Sequence, residues 1–260
     1  MPRRSGLFVG LAMLSMAGLV LVGAASGASP GGDLPVVPVH GQAVGHGVKL
    51  YVDVFYARGG NPGPPSGGGG TSAPDCAKAD VNGQSGWATP FANENPDGLV
   101  LHVNDANEPS VLSFATALGT ATESWNAVVG HSLLSVDPIG GASAPAKDAN
   151  STVGWARLVP KNVLAATWTW VDTSNTIIEA DTFFNNSHPW TTSTTCPASA
   201  DGNFVVQDIA THELGHSLGL SHYSDSDSQA TMYPSAPPDE VRKITLTQGD
   251  KNALNASLAP

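Results

Sequence analysis

The chain has 260 residues, a formal net charge of −11 at pH 7 and only 13% charged residues. Because nucleic-acid binding requires a basic stripe, this acidic composition excludes nucleic acid as an expected partner. The first predicted element is a secretory signal peptide over residues 1–28, in which Arg3 and Arg4 precede the apolar run 7–22. That run is too short for a stable membrane anchor, and no later segment is apolar enough to cross a bilayer. We therefore expect a secreted, extracellular protein.

The next segment, residues 29–75, combines one strand-like stretch with a linker composition. Apolar residues at 48–56 predict a β-strand, and the Gly- and Pro-rich stretch 59–70 is typical of a flexible linker. A segment of this kind is a possible propeptide. The remaining residues, 76–260, are enough to bury one hydrophobic core, so we expect a single domain there.

Within this domain, strand and helix patterns alternate. Apolar β-branched pairs at 177–178 and 205–206 favour strands, whereas the stretches 114–129 and 208–220 favour helices. The sequence therefore predicts a mixed α/β (α+β) fold.

The most informative string is T-H-E-L-G-H-S-L-G-L-S-H, which has the spacing H-E-x-x-H-x-x-G-x-x-H. On a helix, His212 and His216 are four residues apart, so their side chains can share one ion. Glu213 is rotated about 100° from His212, which places it beside the metal as a base rather than a ligand. Gly219 can adopt the left-handed conformation that ends a helix and turns the chain back to a third ligand, His222.

Three imidazoles leave a fourth position for water, which is typical of a catalytic zinc site; structural zinc sites usually have four protein ligands. The sequence thus predicts one catalytic Zn²⁺ with Glu213 activating its water. Two other interpretations stay open: a core helix with incidental histidines, and a zinc site that has lost its activity.

Ten residues after His222, the segment A-T-M-Y-P places Met232 where it resembles the Met-turn of metzincin metalloproteases. The M-Y-P wording is similar to the matrixin branch of that family. Without this context, a methionine is more often a filler of core gaps.

The resemblance covers about residues 98–258 and implies a twisted five-stranded mixed sheet, two long helices and a C-terminal helix. Thr247 with Asp250 forms the N-cap pair expected at the start of that last helix. Stretches 99–104 and 177–185 resemble matrixin strands. The resemblance also implies an edge strand along which substrate binds, formed by Leu164, Ala165, Ala166 and Thr167.

Two departures from the family pattern concern further metals. His188 is the only histidine between residues 150 and 200, so the second, structural zinc of vertebrate-type matrixins is not expected. The polar loop 223–228 offers oxygen ligands, which makes Ca²⁺ possible there, although a solvated loop fits the pattern better.

Cys76 and Cys196 are the only cysteines. An even pair in a secreted protein favours a disulfide. The alternative is a latency switch in which the Cys76 thiolate binds zinc, but the sequence around Cys76 does not match the matrixin switch motif.

Together these features predict a secreted zinc endopeptidase that acts on protein or peptide substrates as a monomer. Two alternatives remain: a catalytically inactive zinc-binding module of the same fold, and a zinc hydrolase acting on cell-wall peptides or small molecules.

Overall fold

The computed structural model of the chain describes residues 32–58, 98–109, 112–196, 202–223 and 228–258. The predicted signal peptide, Cys76 and most of the loop 223–228 lie outside these ranges.

The described residues form eleven strands, three α-helices and a short 3-10 helix. The strands are β1 (Asp33–Pro35), β2 (Val39–Gly45), β3 (Val48–Ala57), β4 (Leu99–Asn104), β5 (Leu134–Asp137), β6 (Ser151–Val159), β7 (Val163–Val171), β8 (Ile177–Asn185), β9 (Trp190–Thr191), β10 (Phe204–Val205) and β11 (Ser235–Ala236). The helices are α1 (Phe114–Val129), α2 (Val206–Ser217) and α3 (Gln248–Ser257), and the 3-10 helix is Arg242–Ile244.

Nine of the strands form one mixed sheet in the order β11-β3-β7-β8-β6-β4-β5, with β1 beside β6 and β2 beside β3. The mixed α/β class is therefore confirmed. The five contiguous strands β5-β4-β6-β8-β7 account for the sheet that the resemblance implied. The sheet is larger than five strands because β1, β2, β3 and β11 extend it.

The correction to the sequence analysis concerns β7, which was expected to be an edge strand. It pairs antiparallel with β8 on one side and antiparallel with β3 on the other, where Asp53 lies opposite Thr167. Every residue of β7 is buried, since its edges are paired and both of its faces are covered. The residues 164–167 are thus not free to pair with a further strand in this conformation.

The two faces of the sheet carry separate apolar clusters. One face packs against α1 and α2 and forms the main core, which includes Leu101, Trp155 and Phe184. The other face forms a smaller cluster in which Val52 and Val54 of β3 are buried. Strand β3 therefore belongs to the folded unit, although about forty residues separate it in sequence from β4.

Helix α1 anchors α2 against the sheet. Its buried stripe follows the helical period and includes Trp125, whose indole Nε1 donates a 2.8 Å hydrogen bond to the Thr211 carbonyl of α2. Gly130 ends α1 with a φ of 75°, a conformation that favours glycine. All twelve residues of α2 are buried because the helix lies between α1 and the sheet.

The C-terminal helix begins as the sequence predicted. The Thr247 side chain accepts a hydrogen bond from the Asp250 N–H, and the Asp250 carboxylate accepts one from the Thr247 N–H, which completes a capping box. None of the helices in the described part of the chain has the length and apolar character needed to cross a membrane.

Candidate metal centre

The end of α2 sets the position of the histidines. Helix α2 ends at Ser217, and Gly219 has a φ of 89°, in the region that favours glycine. The Gly219 N–H donates to the His216 carbonyl, and the Leu220 N–H donates to the Gly215 carbonyl, both at 2.9 Å. These two bonds form a Schellman motif, which reverses the chain direction after the helix.

This turn brings three imidazoles together. The Nε2 atom of His216 lies 3.1 Å from Nε2 of His212 and 3.2 Å from Nε2 of His222. The Nδ1 atoms of His212 and His216 donate 2.7 Å hydrogen bonds to the carbonyls of Thr231 and Leu220. Because each Nδ1 carries the proton, each Nε2 of these two rings presents a lone pair toward the shared centre.

The spacing of the nitrogens fits a zinc ion. Tetrahedral zinc with Zn–N bonds of about 2.0–2.1 Å places its nitrogen ligands roughly 3.3 Å apart. The observed 3.1 and 3.2 Å separations are close to that value. Lone pairs at such distances repel each other unless a cation lies between them, so the donor set is suited to a metal. In the described part of the chain, this triad is the one group of three or more potential ligands that could hold an ion.

Burial keeps the histidines neutral, which is the form that binds metals. It lowers the pKa of His216 to about 4 and the pKa of His222 to about 3. The pKa of His212 is also lowered well below its usual value by burial, with a further contribution from the other two rings.

Glu213 lies fully buried beside the triad, and its two carboxylate oxygens have different surroundings. Oε2 accepts a 2.6 Å hydrogen bond from the Thr167 hydroxyl of β7. Oε1 has no hydrogen-bond partner among the described residues. Burial raises the pKa of Glu213 to about 8, and the bond from Thr167 opposes this shift. A buried carboxyl with one unpartnered oxygen is suited to accepting and releasing a proton.

Met232 lies directly under the helix that carries the ligands. It is fully buried, and a Cβ added at Gly215 would overlap its sulfur. The Met232 carbonyl accepts a 2.8 Å hydrogen bond from the Tyr223 N–H. Thr231, the residue before Met232, is thus bonded to His212 of α2, and Met232 itself is bonded to the segment after His222.

Two residues of β3 also reach the triad, and the sequence analysis did not identify them. Asp53 Oδ2 lies 3.8 Å from Nδ1 of His216, with an 11% exposed side chain. The Phe55 ring is fully buried, with its centroid 4.3 Å from that of His212. Apolar residues predicted a strand at 48–56, but nothing in the sequence indicates which part of the domain that strand meets.

A second group of buried carboxylates holds a loop rather than a reactive group. Glu179 accepts hydrogen bonds from the N–H groups of Asp148 and Ala149, each at 2.8 Å. Asp181 accepts from Ala146 and Thr152 at 2.9 and 2.7 Å. All four carboxylate oxygens thus have backbone donors, so they are not arranged to ligate a cation.

The predicted Cys76–Cys196 pair and the possible Ca²⁺ site involve residues outside the described ranges and stay predictions. His188, the one histidine between residues 150 and 200, donates from Nε2 to the Lys161 carbonyl at 2.8 Å.

Comparison with known proteins agrees with the site. The sequence profile of the matrixin family, a peptidase family, matches residues 159–257. Metalloendoproteinase 1 of Glycine max is 47% identical over 51 residues, which are 20% of this chain and 16% of that protein. Matrilysin of Felis catus is 50% identical over 48 residues, or 18% and 17% of the two chains. Neutrophil collagenase of Homo sapiens is 34% identical over 79 residues, or 30% and 15%.

Residues 159–257 thus resemble the matrixins, and together with the triad they support the matrixin-like metzincin site that the zinc motif predicted. The aligned part of this chain spans only 16% and 17% of the length of the first two relatives.

Proposed function

We propose that this protein is a secreted zinc-dependent endopeptidase that hydrolyses peptide bonds in protein or peptide substrates. The observation that supports it is the convergence of three imidazoles next to the buried carboxyl of Glu213, with the Nε2 atoms of His212 and His222 lying 3.1 and 3.2 Å from Nε2 of His216. The match to the matrixin family over residues 159–257 supports the same class.

His212, His216 and His222 would hold the ion, which supplies Lewis-acid chemistry by lowering the pKa of water and polarising the scissile carbonyl. Glu213 then acts as the general base: its unpartnered Oε1 takes a proton from the attacking water and passes it to the leaving amine. Thr167 fixes Oε2 of the same carboxylate, which leaves Oε1 as the reacting oxygen. Met232 forms the apolar floor that keeps α2 in place.

An extended substrate would bind along β7 by β-augmentation at residues 164–167. Pairing through backbone groups requires little of the substrate sequence, so selectivity comes from side-chain pockets. This binding mode requires that β3, which now pairs with β7, first move away.

Hydrolysis of casein, gelatin and an unstructured fluorogenic peptide, measured with and without a zinc chelator, tests the proposal. We expect hydrolysis that the chelator abolishes and added Zn²⁺ restores. Absence of hydrolysis by a zinc-loaded chain from which β3 has been released would contradict it.

One rival function has a specific observation in its favour. A catalytically inactive zinc-binding module would have a blocked cleft, and in this structure β3 fills the side of β7 where substrate would pair. A zinc hydrolase of cell-wall peptides or small molecules is the other alternative, and cell-wall peptides included in the hydrolysis assay would identify it.

Secretion and the disulfide belong to the same proposal. Cleavage of the signal peptide near residue 28 is tested by N-terminal sequencing of protein from the culture medium. A Cys76–Cys196 bond would join the start of the domain to the loop that precedes α2. Mass spectrometry of alkylated, non-reduced protein would show a linked peptide pair, whereas alkylation of Cys76 would favour the thiol switch.

A further inference from the structure

Two hydroxyl groups connect the interior of the sheet to the proposed base. Thr167 of β7 lies directly opposite Thr182 of β8, and their hydroxyl oxygens are 2.8 Å apart. The Thr167 hydroxyl in turn lies 2.6 Å from Oε2 of Glu213 on α2. Residues directly opposite each other in an antiparallel pair project to the same face, so both hydroxyls lie on the face of the sheet that packs against α2.

Counting hydrogens assigns the donors in this chain of contacts. A carboxylate has no hydrogen to give, so Thr167 donates its one hydroxyl hydrogen to Oε2 of Glu213. Because that hydrogen is used, the Thr182 hydroxyl is the donor in its contact with Thr167. Donation therefore runs from Thr182 to Thr167 and from Thr167 to Glu213.

Thr182 is a rigid starting point for this chain of contacts because β8 lies inside the sheet. Its partner on one side is Thr167 of β7, and its partner on the other side is Val153 of β6. The Thr182 side chain is buried, and a β-branched side chain has little freedom about χ1. The position of its hydroxyl is therefore set by the backbone of the sheet.

The surroundings of the two hydroxyls are apolar. Ala180 and Phe184, two residues before and two residues after Thr182 on β8, belong to the main core, as does Ala165 of β7. Within the described ranges, the one hydrogen bond of the Thr182 hydroxyl is the bond to Thr167. In apolar surroundings a hydrogen bond is electrostatically stronger than in water, and successive donors polarise one another. The Thr182 hydroxyl thus makes Thr167 a stronger donor to the carboxylate.

The Thr167 hydroxyl has a second acceptor within reach. The main-chain carbonyl of Glu213 lies 3.5 Å from the Thr167 oxygen, compared with 2.6 Å for Oε2. Donation from Thr182 occupies one lone pair of the Thr167 oxygen and restricts its rotation, so the Thr167 hydrogen stays on Oε2. The carboxylate is then held through Oε2, and Oε1 is left without a partner among the described residues.

We propose that Thr182 is a positioning residue for the general base: by donating to Thr167 it fixes the Thr167 hydroxyl, and thereby the orientation of the Glu213 carboxylate. This inference rests on the proposed peptidase function. In that reaction, Oε1 takes a proton from water as the water oxygen bonds to the carbonyl carbon, and it returns the proton to the leaving nitrogen as the C–N bond breaks. Cross-strand threonine pairs also stabilise sheets, so the test has to separate positioning from packing.

The test measures kcat and KM for a fluorogenic peptide with the full zinc-loaded chain and with variants prepared in the same way. Thr182→Val removes only the hydroxyl, so kcat should fall about three- to tenfold, the effect of one hydrogen bond, while KM stays the same. Thr182→Ser keeps the hydroxyl and should restore most of the lost kcat. The matched control is Thr169→Val, which should leave both constants unchanged. Thr169 is buried on β7 two residues from Thr167, and its hydroxyl has no partner among the described residues.

A double substitution shows whether Thr182 acts through Thr167. In a Thr167→Val background, Thr182→Val should lower kcat no further, because the chain of hydrogen bonds is already broken. A substitution that only loosens the sheet would lower kcat again by the same factor. The Tm of the zinc-loaded chain gives a readout that does not depend on activity. The Tm shifts caused by Thr182→Val and Glu213→Gln should be non-additive when Thr167 is present and additive in the Thr167→Val background.

The outcomes separate this proposal from the proposed function. An unchanged kcat in a folded Thr182→Val protein, a change in KM alone, or a failure of Thr182→Ser to restore kcat overturns the positioning role and leaves the peptidase intact. Additive Tm shifts in the presence of Thr167 overturn the positioning role whatever the activity. Non-additive Tm shifts in a protein that hydrolyses nothing support the contact between Thr182 and Glu213 through Thr167 and overturn the proposed function alone.

Discussion

Glu213 and the pair formed by Glu179 and Asp181 are all buried carboxylates, and the comparison between them separates a reactive site from a structural one. Burial raises the pKa of Glu213 and of Asp181 to about 8 in each case. Both carboxyls are about 1% exposed or less. Neither burial nor the direction of the pKa shift therefore distinguishes them.

The hydrogen-bond partners make the difference. Both oxygens of Asp181 and both oxygens of Glu179 accept backbone N–H groups of the loop 146–152. Glu213 has one donor, Thr167, and its Oε1 has none within the described ranges. A carboxylate whose acceptors are all used stabilises a loop, whereas one with a free oxygen beside three metal ligands can exchange a proton. The four predictions below test this distinction.

The largest effect is expected for Glu213→Gln. It keeps the shape of the side chain and the zinc content but removes the base, so kcat should fall about 10²- to 10⁴-fold. Glu179→Gln is the matched control, because the same substitution at the loop carboxylate should leave kcat unchanged. Both variants are checked by metal analysis and peptide hydrolysis on zinc-loaded protein from which β3 has been released. Substantial turnover by the Glu213 variant would mean that another group is the base.

The second prediction concerns zinc binding, which a substitution outside the three ligands should weaken. Gly219→Val forces a β-branched residue to a φ of 89°, which moves His222 away from the other two rings. We expect zinc affinity to fall about 10- to 100-fold, close to the effect of His222→Ala. Gly130→Val is the control, since Gly130 also has a positive φ, 75°, but ends a helix that carries none of the three histidines. If both variants bind zinc equally, the turn does not position the ligand.

Much of this centre could be predicted because its chemistry is local in sequence. The helix period fixes His212 and His216, and the spacing to Gly219 fixes the turn. The N-cap pair at Thr247 was predicted for the same reason, because a short-range pattern determines it, whereas the strand Ile177–Asn185 was predicted from its resemblance to a matrixin strand. The structure gives the helix end as Ser217 rather than residue 220, because the turn begins before the glycine.

The contacts that the sequence did not reveal are long-range. Asp53 is more than one hundred residues from the triad along the chain, and its strand alone does not show which face meets β7. Glu179 is a second example. The sequence analysis identified it only as part of a strand, but its carboxylate binds backbone N–H groups of a loop about thirty residues earlier. Pairing of distant segments is decided by tertiary packing rather than by local propensity.

The third prediction concerns the one donor to the reactive carboxylate. Thr167→Val removes the bond to Oε2, so Glu213 loses its fixed orientation and kcat should fall about tenfold, or roughly 1.4 kcal/mol. Because that bond lowers the pKa of Glu213, its loss raises the pKa and moves the acid limb of the pH–rate profile to higher pH. Thr169→Val is the control on the same strand, since its hydroxyl has no partner among the described residues. An unchanged profile for Thr167→Val would remove its positioning role.

The smallest effect on catalysis is expected for Glu179→Gln, which should instead lower the stability of the fold. An amide can accept only one of the two N–H groups that the carboxylate accepts, so a backbone donor of Asp148 or Ala149 is left unpaired. The free energy of unfolding at pH 7 should fall by about 1–3 kcal/mol, measured by urea denaturation, while zinc content stays the same.

Burial raises the pKa of Glu179 above 4.5, so the folded chain binds more protons than the unfolded chain just above that pH. Wild-type stability should therefore decline as the pH rises through this window, and the decline should be smaller in the variant. A variant as stable as the wild type would mean that the loop carboxylate is not structural. A variant with lower kcat would mean that the number of hydrogen-bond partners does not separate the two sites.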